Sequence, residues 1–182
     1  MAESKDLSFN IVVIAGEIAT GKSVFINRFA TNAYKLLGHT IGCGYYEKTI
    51  SVDKTKVQLN IWDTNSLGGT RSLLPVYLDG TDRAPVPSDS SSYAFGIILT
   101  YDIQSQKSFL SASEMIPIIN QNCDKKVNRV FVGLKCDLRH NRAVLQEDAQ
   151  EFAGKHKMKY MEASALTGEN VEDVFYSLSG RL

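Results

Sequence analysis

The residues most able to do chemistry come first in the chain. Gly16-Glu17-Ile18-Ala19-Thr20-Gly21-Lys22-Ser23 fits the spacing G-x-x-x-x-G-K-S/T and follows an apolar run, residues 9–15. Turned backbone N–H groups of Gly16, Ala19 and Gly21 at a helix N-terminus form an anion nest, Lys22 reaches terminal phosphates, and the Ser23 hydroxyl suits Mg²⁺. At average residue frequencies the pattern arises by chance in roughly one such chain in a hundred. Its place between a strand pattern and a helix pattern decides for phosphate binding over a fortuitous Gly-rich turn.

The elements that must position this loop are legible from periodicity. Strand-length apolar runs occur at 9–15, 46–52, 57–63, 94–101, 129–134 and 159–163. Val171, Val174, Phe175 and Leu178 repeat at helical spacing, and Phe109, Ala112, Ile116 and Ile119 nearly do. Alternation of strands and helices predicts an open α/β sheet with helices on both faces, with 46–52 and 57–63 as an antiparallel hairpin. Chemistry is then expected in the loops beyond the carboxyl ends of the strands. Residues 79–92, rich in Pro, Gly, Asp and Ser, read as a surface loop, and residues 1–182 as a single domain without internal repeats.

Composition narrows the class. The chain has 182 residues, with 20 Lys+Arg against 20 Asp+Glu and 43% hydrophobic residues. That suits one globular domain able to bury roughly 70% of its unfolded surface, and a net charge of zero argues against nucleic acid as a partner. Three widely separated cysteines, Cys43, Cys123 and Cys136, suggest neither a disulfide framework nor a zinc site, and His39, His140 and His156 are too scattered for a ligand set. A reducing, cytoplasmic setting is expected. The final residues, Ser-Gly-Arg-Leu, carry no lipidation cysteine, so membrane association is expected only through a partner or a C-terminal segment beyond this chain.

Further segments between residues 9 and 175 resemble the Ras superfamily of small GTPases, and most closely its Rab branch. Thr40-Ile41-Gly42 followed by Tyr45-Tyr46-Glu47-Lys48-Thr49-Ile50 looks like switch I and its strand. Ile61-Trp62-Asp63-Thr64 looks like the strand ending in the metal-site Asp, Lys135-Cys136-Asp137 like the end of the N-K-x-D base-reading loop, and Ser164-Ala165 like the S-A-K loop. The resemblance implies a P-loop NTPase fold: six strands, mostly parallel with one antiparallel, and helices on both faces. It implies GTP or GDP with Mg²⁺ as cofactors, the metal held by Ser23, Asp63 and, in the triphosphate state, Thr40. Tyr34 matches the aromatic that packs on guanine, although a plain core Tyr is nearly as good a reading. A carboxylate at Asp137 can accept both N1–H and N2–H of guanine, which adenine cannot offer; a turn-capping Asp is its bland alternative.

The departures from that pattern predict weakened catalysis. D-x-x-G-Q becomes Asp63-Thr64-Asn65-Ser66-Leu67, so Leu67 stands at the water-orienting Gln; an alternative alignment puts Gly69 there, and no Gln, Glu or His occurs from Leu59 to Ile103. Ile18 crowds the expected γ-phosphate side, Leu134 replaces the Asn of N-K-x-D, and Leu166 replaces the Lys of S-A-K. No catalytic residue is assigned. The expected function is a protein-recruiting switch in vesicle trafficking with impaired GTP hydrolysis, engaging effectors or regulators through the switch regions and the 79–92 insertion. The alternative is a pseudo-GTPase scaffold whose nucleotide is structural or absent.

Overall fold

A computed structural model describes residues 7–38, 43–52, 55–64, 74–78, 94–123 and 127–178. Strands β1 (Leu7–Ala15), β2 (Cys43–Val52), β3 (Thr55–Thr64), β4 (Ala94–Asp102), β5 (Asn128–Leu134) and β6 (Lys159–Ala163) form one sheet in the order β2-β3-β1-β4-β5-β6. Among these strands only β2 runs antiparallel, against β3; the other pairings are parallel. This is the expected six-stranded P-loop arrangement. β2 starts earlier than its apolar run, because Cys43, Gly44 and Tyr45 pair with Thr64, Asp63 and Trp62.

Alternate side chains of the central strands serve two cores. Ile11 and Val13 of β1 face α1 (Lys22–Thr31) and α6 (Val171–Leu178), where Phe29 and Phe25 stack on Phe175 with centroids 3.8 and 5.2 Å away. Val12 and Ile14 face the other side, covered by α2 (Leu74–Leu78), α3 (Gln106–Ser113), α4 (Met115–Asn122) and α5 (Gln146–Lys155). The helical period through Phe109, Ala112, Ile116 and Ile119 is thus carried by two short helices rather than one. Pro117 lacks an N–H, and its ring crowds the carbonyl of Ser113 four residues earlier, so the ladder is interrupted next to Glu114. Ser105 caps the start of α3, accepting from the Ser108 N–H at 3.1 Å.

A largely buried polar group fastens the segment before α5 to β6. Arg142 donates both terminal nitrogens to Glu162, at 2.7 and 2.8 Å, and the Tyr160 hydroxyl donates to the same carboxylate at 2.6 Å. The Tyr101 hydroxyl lies 2.9 Å from that of Tyr160. Burial pushes the Glu162 carboxyl up, but the Arg142 fork and the Tyr160 hydroxyl outweigh it and hold the group below its ordinary value. A carboxylate depressed in the folded state contributes stability that is full above its unfolded pKa and lost as pH falls through the folded one. The unfolding free-energy gap between wild type and Glu162→Gln, measured by urea titration, is therefore expected to be constant above about pH 5 and to close as pH falls below about 4.

Candidate nucleotide site

The loops beyond the carboxyl ends of β1, β5 and β6 enclose a cavity of about 590 Å³. Ala19, Gly21, Lys22, Ser23, Tyr34, Lys135, Asp137 and Ala165 all line it, so most of the site residues expected from the sequence converge on one space. Ile18, Leu134 and Leu166, the substituted positions, line it as well. Thr40 and Leu67, like the 79–92 insertion, lie outside the described residues.

At the phosphate end, the chain turns through two left-handed residues, Ala19 (φ 60°) and Gly21 (φ 93°), before α1 begins at Lys22. A glycine tolerates that conformation where other residues are strained. No side chain caps α1 and its first turn holds no acidic residue, so its leading N–H groups and its dipole are presented to the cavity. Lys22 is 5% exposed and pairs with Asp63 of β3, itself 1% exposed. Burial lowers the Lys22 pKa, with Asp63 opposing the shift. These donors fit a polyphosphate with a divalent cation: an uncapped helix start and an ammonium for the anion, and hard oxygens of Ser23 and Asp63 for the metal. Among the described residues no group of three His, Cys, Asp or Glu side chains could hold a metal without such a ligand.

Gly16 and Ser164 stand behind the lining. A Cβ on Gly16 would lie 2.1 Å from the Ser111 backbone, so this glycine lets the loop pack against α3. Ser164 is fully buried and donates its hydroxyl to Asp137 Oδ1 at 2.5 Å, fixing the carboxylate that heads a 3-10 turn, Cys136–Asn141. Each carboxylate oxygen accepts more than one hydrogen bond, so Asp137 keeps lone pairs for a ligand. Tyr34 is 41% exposed on the cavity wall, which removes the reading of a plain core tyrosine. Leu134 is buried in the α1/α6 core, where its side chain packs but offers no hydrogen bond. Burial pushes the Cys123 and Cys136 thiols up to about 11, consistent with unreactive thiols.

Sequence reasoning missed two features. Lys135, in the left-handed region (φ 64°), donates to the Ala19 carbonyl at 3.1 Å and to Asp102 Oδ2 at 2.6 Å, yet Asp102 belongs to no spacing pattern. On the opposite sheet face, Tyr45, Trp62 and Tyr77 form an aromatic cluster, with Trp62 4.7 Å from Tyr45 and 6.0 Å from Tyr77 between centroids. Their positions are too far apart in sequence for periodicity to connect them; only the β2–β3 register and α2 do.

Comparison with known proteins gives the lineage. The Ras family model matches residues 11–182. The chain is 35% identical to the Ras-related protein Rab-30 of Homo sapiens over 181 residues, covering 99% of this chain and 82% of that protein. It is 33% identical to the Ras-related protein Rab-11A of Dictyostelium discoideum over 177 residues, covering 97% and 76%. Against the Ras-related protein Rab-8B of Bos taurus it is 32% identical over 180 residues, covering 98% and 80%. Among the described residues no helix is long and apolar enough to cross a membrane. A site built around a phosphate loop, on the expected sheet, in a chain that matches the family almost end to end, leads to one assignment: the chain belongs to the Ras family of small GTPases and is Rab-like, one of the GTP-binding switches that work through effector and regulator proteins in vesicle trafficking.

Proposed function

We propose that this cavity binds GTP or GDP with Mg²⁺ and that the chain acts as a protein-recruiting switch with strongly impaired hydrolysis. The observation that carries the reading is the convergence of Lys22, Ser23 and Asp137, from distant parts of the chain, on one cavity of about 590 Å³. In this reading Lys22 and the α1 N-terminus hold the phosphates, and Ser23 and Asp63, with Thr40 in the triphosphate state, hold the metal. Bound Mg²⁺ supplies charge neutralisation between phosphate oxygens. Asp137, oriented by Ser164, accepts from guanine, while Tyr34, Ala165 and the Lys135 stem bound the base. The exposed Tyr45 beside Trp62 and Tyr77 offers effectors an apolar landing point next to the switches, with the 79–92 insertion as a further partner element.

A pseudo-GTPase scaffold is the second reading, and Leu134 favours it: a buried leucine gives neither base nor phosphate loop a side-chain hydrogen bond. The retained Lys22, Ser23, Asp63 and Asp137 favour the switch.

Two outcomes test the proposal. Asp137→Asn replaces one acceptor with a donor, which mismatches guanine and suits xanthine; competition binding is expected to move preference from GTP to XTP, and a variant without that shift removes Asp137 as the base reader. Leu67 cannot orient water, and Ile18, 40% exposed at the cavity, crowds the γ-phosphate side. Single-turnover phosphate release is expected at or below the intrinsic rate of family members, on the order of 10⁻⁴ s⁻¹, with Leu67→Gln alone giving little recovery. Release well above that rate would show a substitute catalytic group.

A further inference from the structure

We propose that the phosphate loop is held in its binding conformation from outside the cavity, by a clamp onto the β4–α3 corner, and that Asp102 is the positioning residue that sets how slowly nucleotide leaves. The inference rests on the nucleotide reading above.

Three points of the loop are fastened to this corner, two directly and one through Lys135, the residue after β5. Gly16 packs against the Ser111 backbone of α3, the Glu17 carboxylate pairs with Lys107 at 2.8 Å, and the Ala19 carbonyl accepts from Lys135 at 3.1 Å. The third fastening carries the most consequence, because Ala19 and Lys135 are both non-glycine residues in left-handed conformations, which persist only where surrounding contacts enforce them. The Lys135 ammonium is enforced by Asp102 Oδ2 at 2.6 Å.

Asp102 is itself rigidly placed. It is 8% exposed, its Oδ1 accepts from the Gln104 N–H at 2.9 Å, and its own N–H donates to the Ser108 hydroxyl at 2.9 Å. One carboxylate oxygen is thus occupied by the corner and the other is aimed at Lys135. With Leu134 supplying no side-chain hydrogen bond, the connection between base loop and phosphate loop runs through this lysine. Burial ranks the two ion pairs. Lys107 is 80% exposed, so its bond to Glu17 is screened and weak, whereas the Lys135 and Asp102 side chains are 34% and 11% exposed. Without the Asp102 carboxylate, the Lys135 head turns to water, the Ala19 carbonyl loses its donor, and the loop opens more often.

The test is release of fluorescently labelled GDP, in Mg²⁺, from wild type, Asp102→Asn, Lys135→Met, the double variant and Lys107→Gln, with hydrogen exchange at the amides of residues 17–21 in the nucleotide-free protein. Asn keeps the Gln104 cap, so Asp102→Asn isolates the charge; Lys135→Met, at a partly exposed position, supplies the answer if the Asn variant does not fold. Losing a charged hydrogen bond is expected to speed release about ten- to a hundredfold in Asp102→Asn and to raise exchange at the loop. The double variant is expected to release no faster than Lys135→Met alone, since the two act through one connection, and Lys107→Gln to stay within about twofold, an effect erased by salt. Additive effects in the double variant, or unchanged release and exchange in Asp102→Asn while wild type holds GDP, overturn the clamp. A wild type that binds no GDP overturns the nucleotide reading instead, and the release role with it.

Discussion

A lysine ammonium that is 5% exposed must keep counter-charge close at hand, and the carboxyl-end architecture of this chain is arranged around that requirement at Lys22. The parallel β1–β3 register, with Val13 beside Asp63, delivers a carboxylate to it, and the left-handed Gly21 starts α1 so that an uncapped helix end points the same way. An ammonium and an uncapped helix start in a walled cavity favour a polyanion over water. In the proposed switch Asp63 has two partners to serve, the lysine and a metal, which accounts for an acid next to the end of so deeply buried a strand. Removing either member of such a pair leaves a buried charge without compensation.

Much of the fold is legible in the sequence because the physics is local and periodic. All six strands are visible as apolar runs, and the antiparallel pairing of β2 with β3 follows from the short polar sequence between them. The split between α3 and α4 is less visible: the apolar period runs through it, and the interruption comes from one missing N–H at Pro117. In the site, motif spacing exposes Lys22, Ser23 and Asp137, since phosphate and base recognition need fixed residue types at fixed intervals. Spacing does not reveal Asp102, whose partner Lys135 lies on another strand's loop, nor the Tyr45–Trp62–Tyr77 cluster, which exists only once β2, β3 and α2 meet. Spacing marks Gly16 as part of the phosphate loop, but its place against α3, where a side chain would strike backbone, emerges only from the packed fold.

The substitutions Ile18, Leu134 and Leu166 share a direction. Each places a branched apolar side chain on the cavity, Leu134 and Leu166 where a polar residue is expected in relatives and Ile18 where a small one is, and all three line the wall. Lys22, Ser23, Asp63 and Asp137 are retained, while polar side chains expected near the base are lost at Leu134 and Leu166. In the proposed switch the site keeps its hold on phosphate, reads the base chiefly through Asp137, and has little means to orient an attacking water. A switch of that kind would be governed by the rate at which nucleotide enters and leaves rather than by hydrolysis, which gives the loop clamp at Asp102 its importance.

The central claim is that a guanine nucleotide resides in this cavity. Denaturing the purified chain and identifying the released nucleotide by chromatography tests it most directly. The proposed switch predicts a guanine nucleotide in near-equimolar amount, with GTP in excess of GDP; release of an adenine nucleotide, or of none, would contradict it.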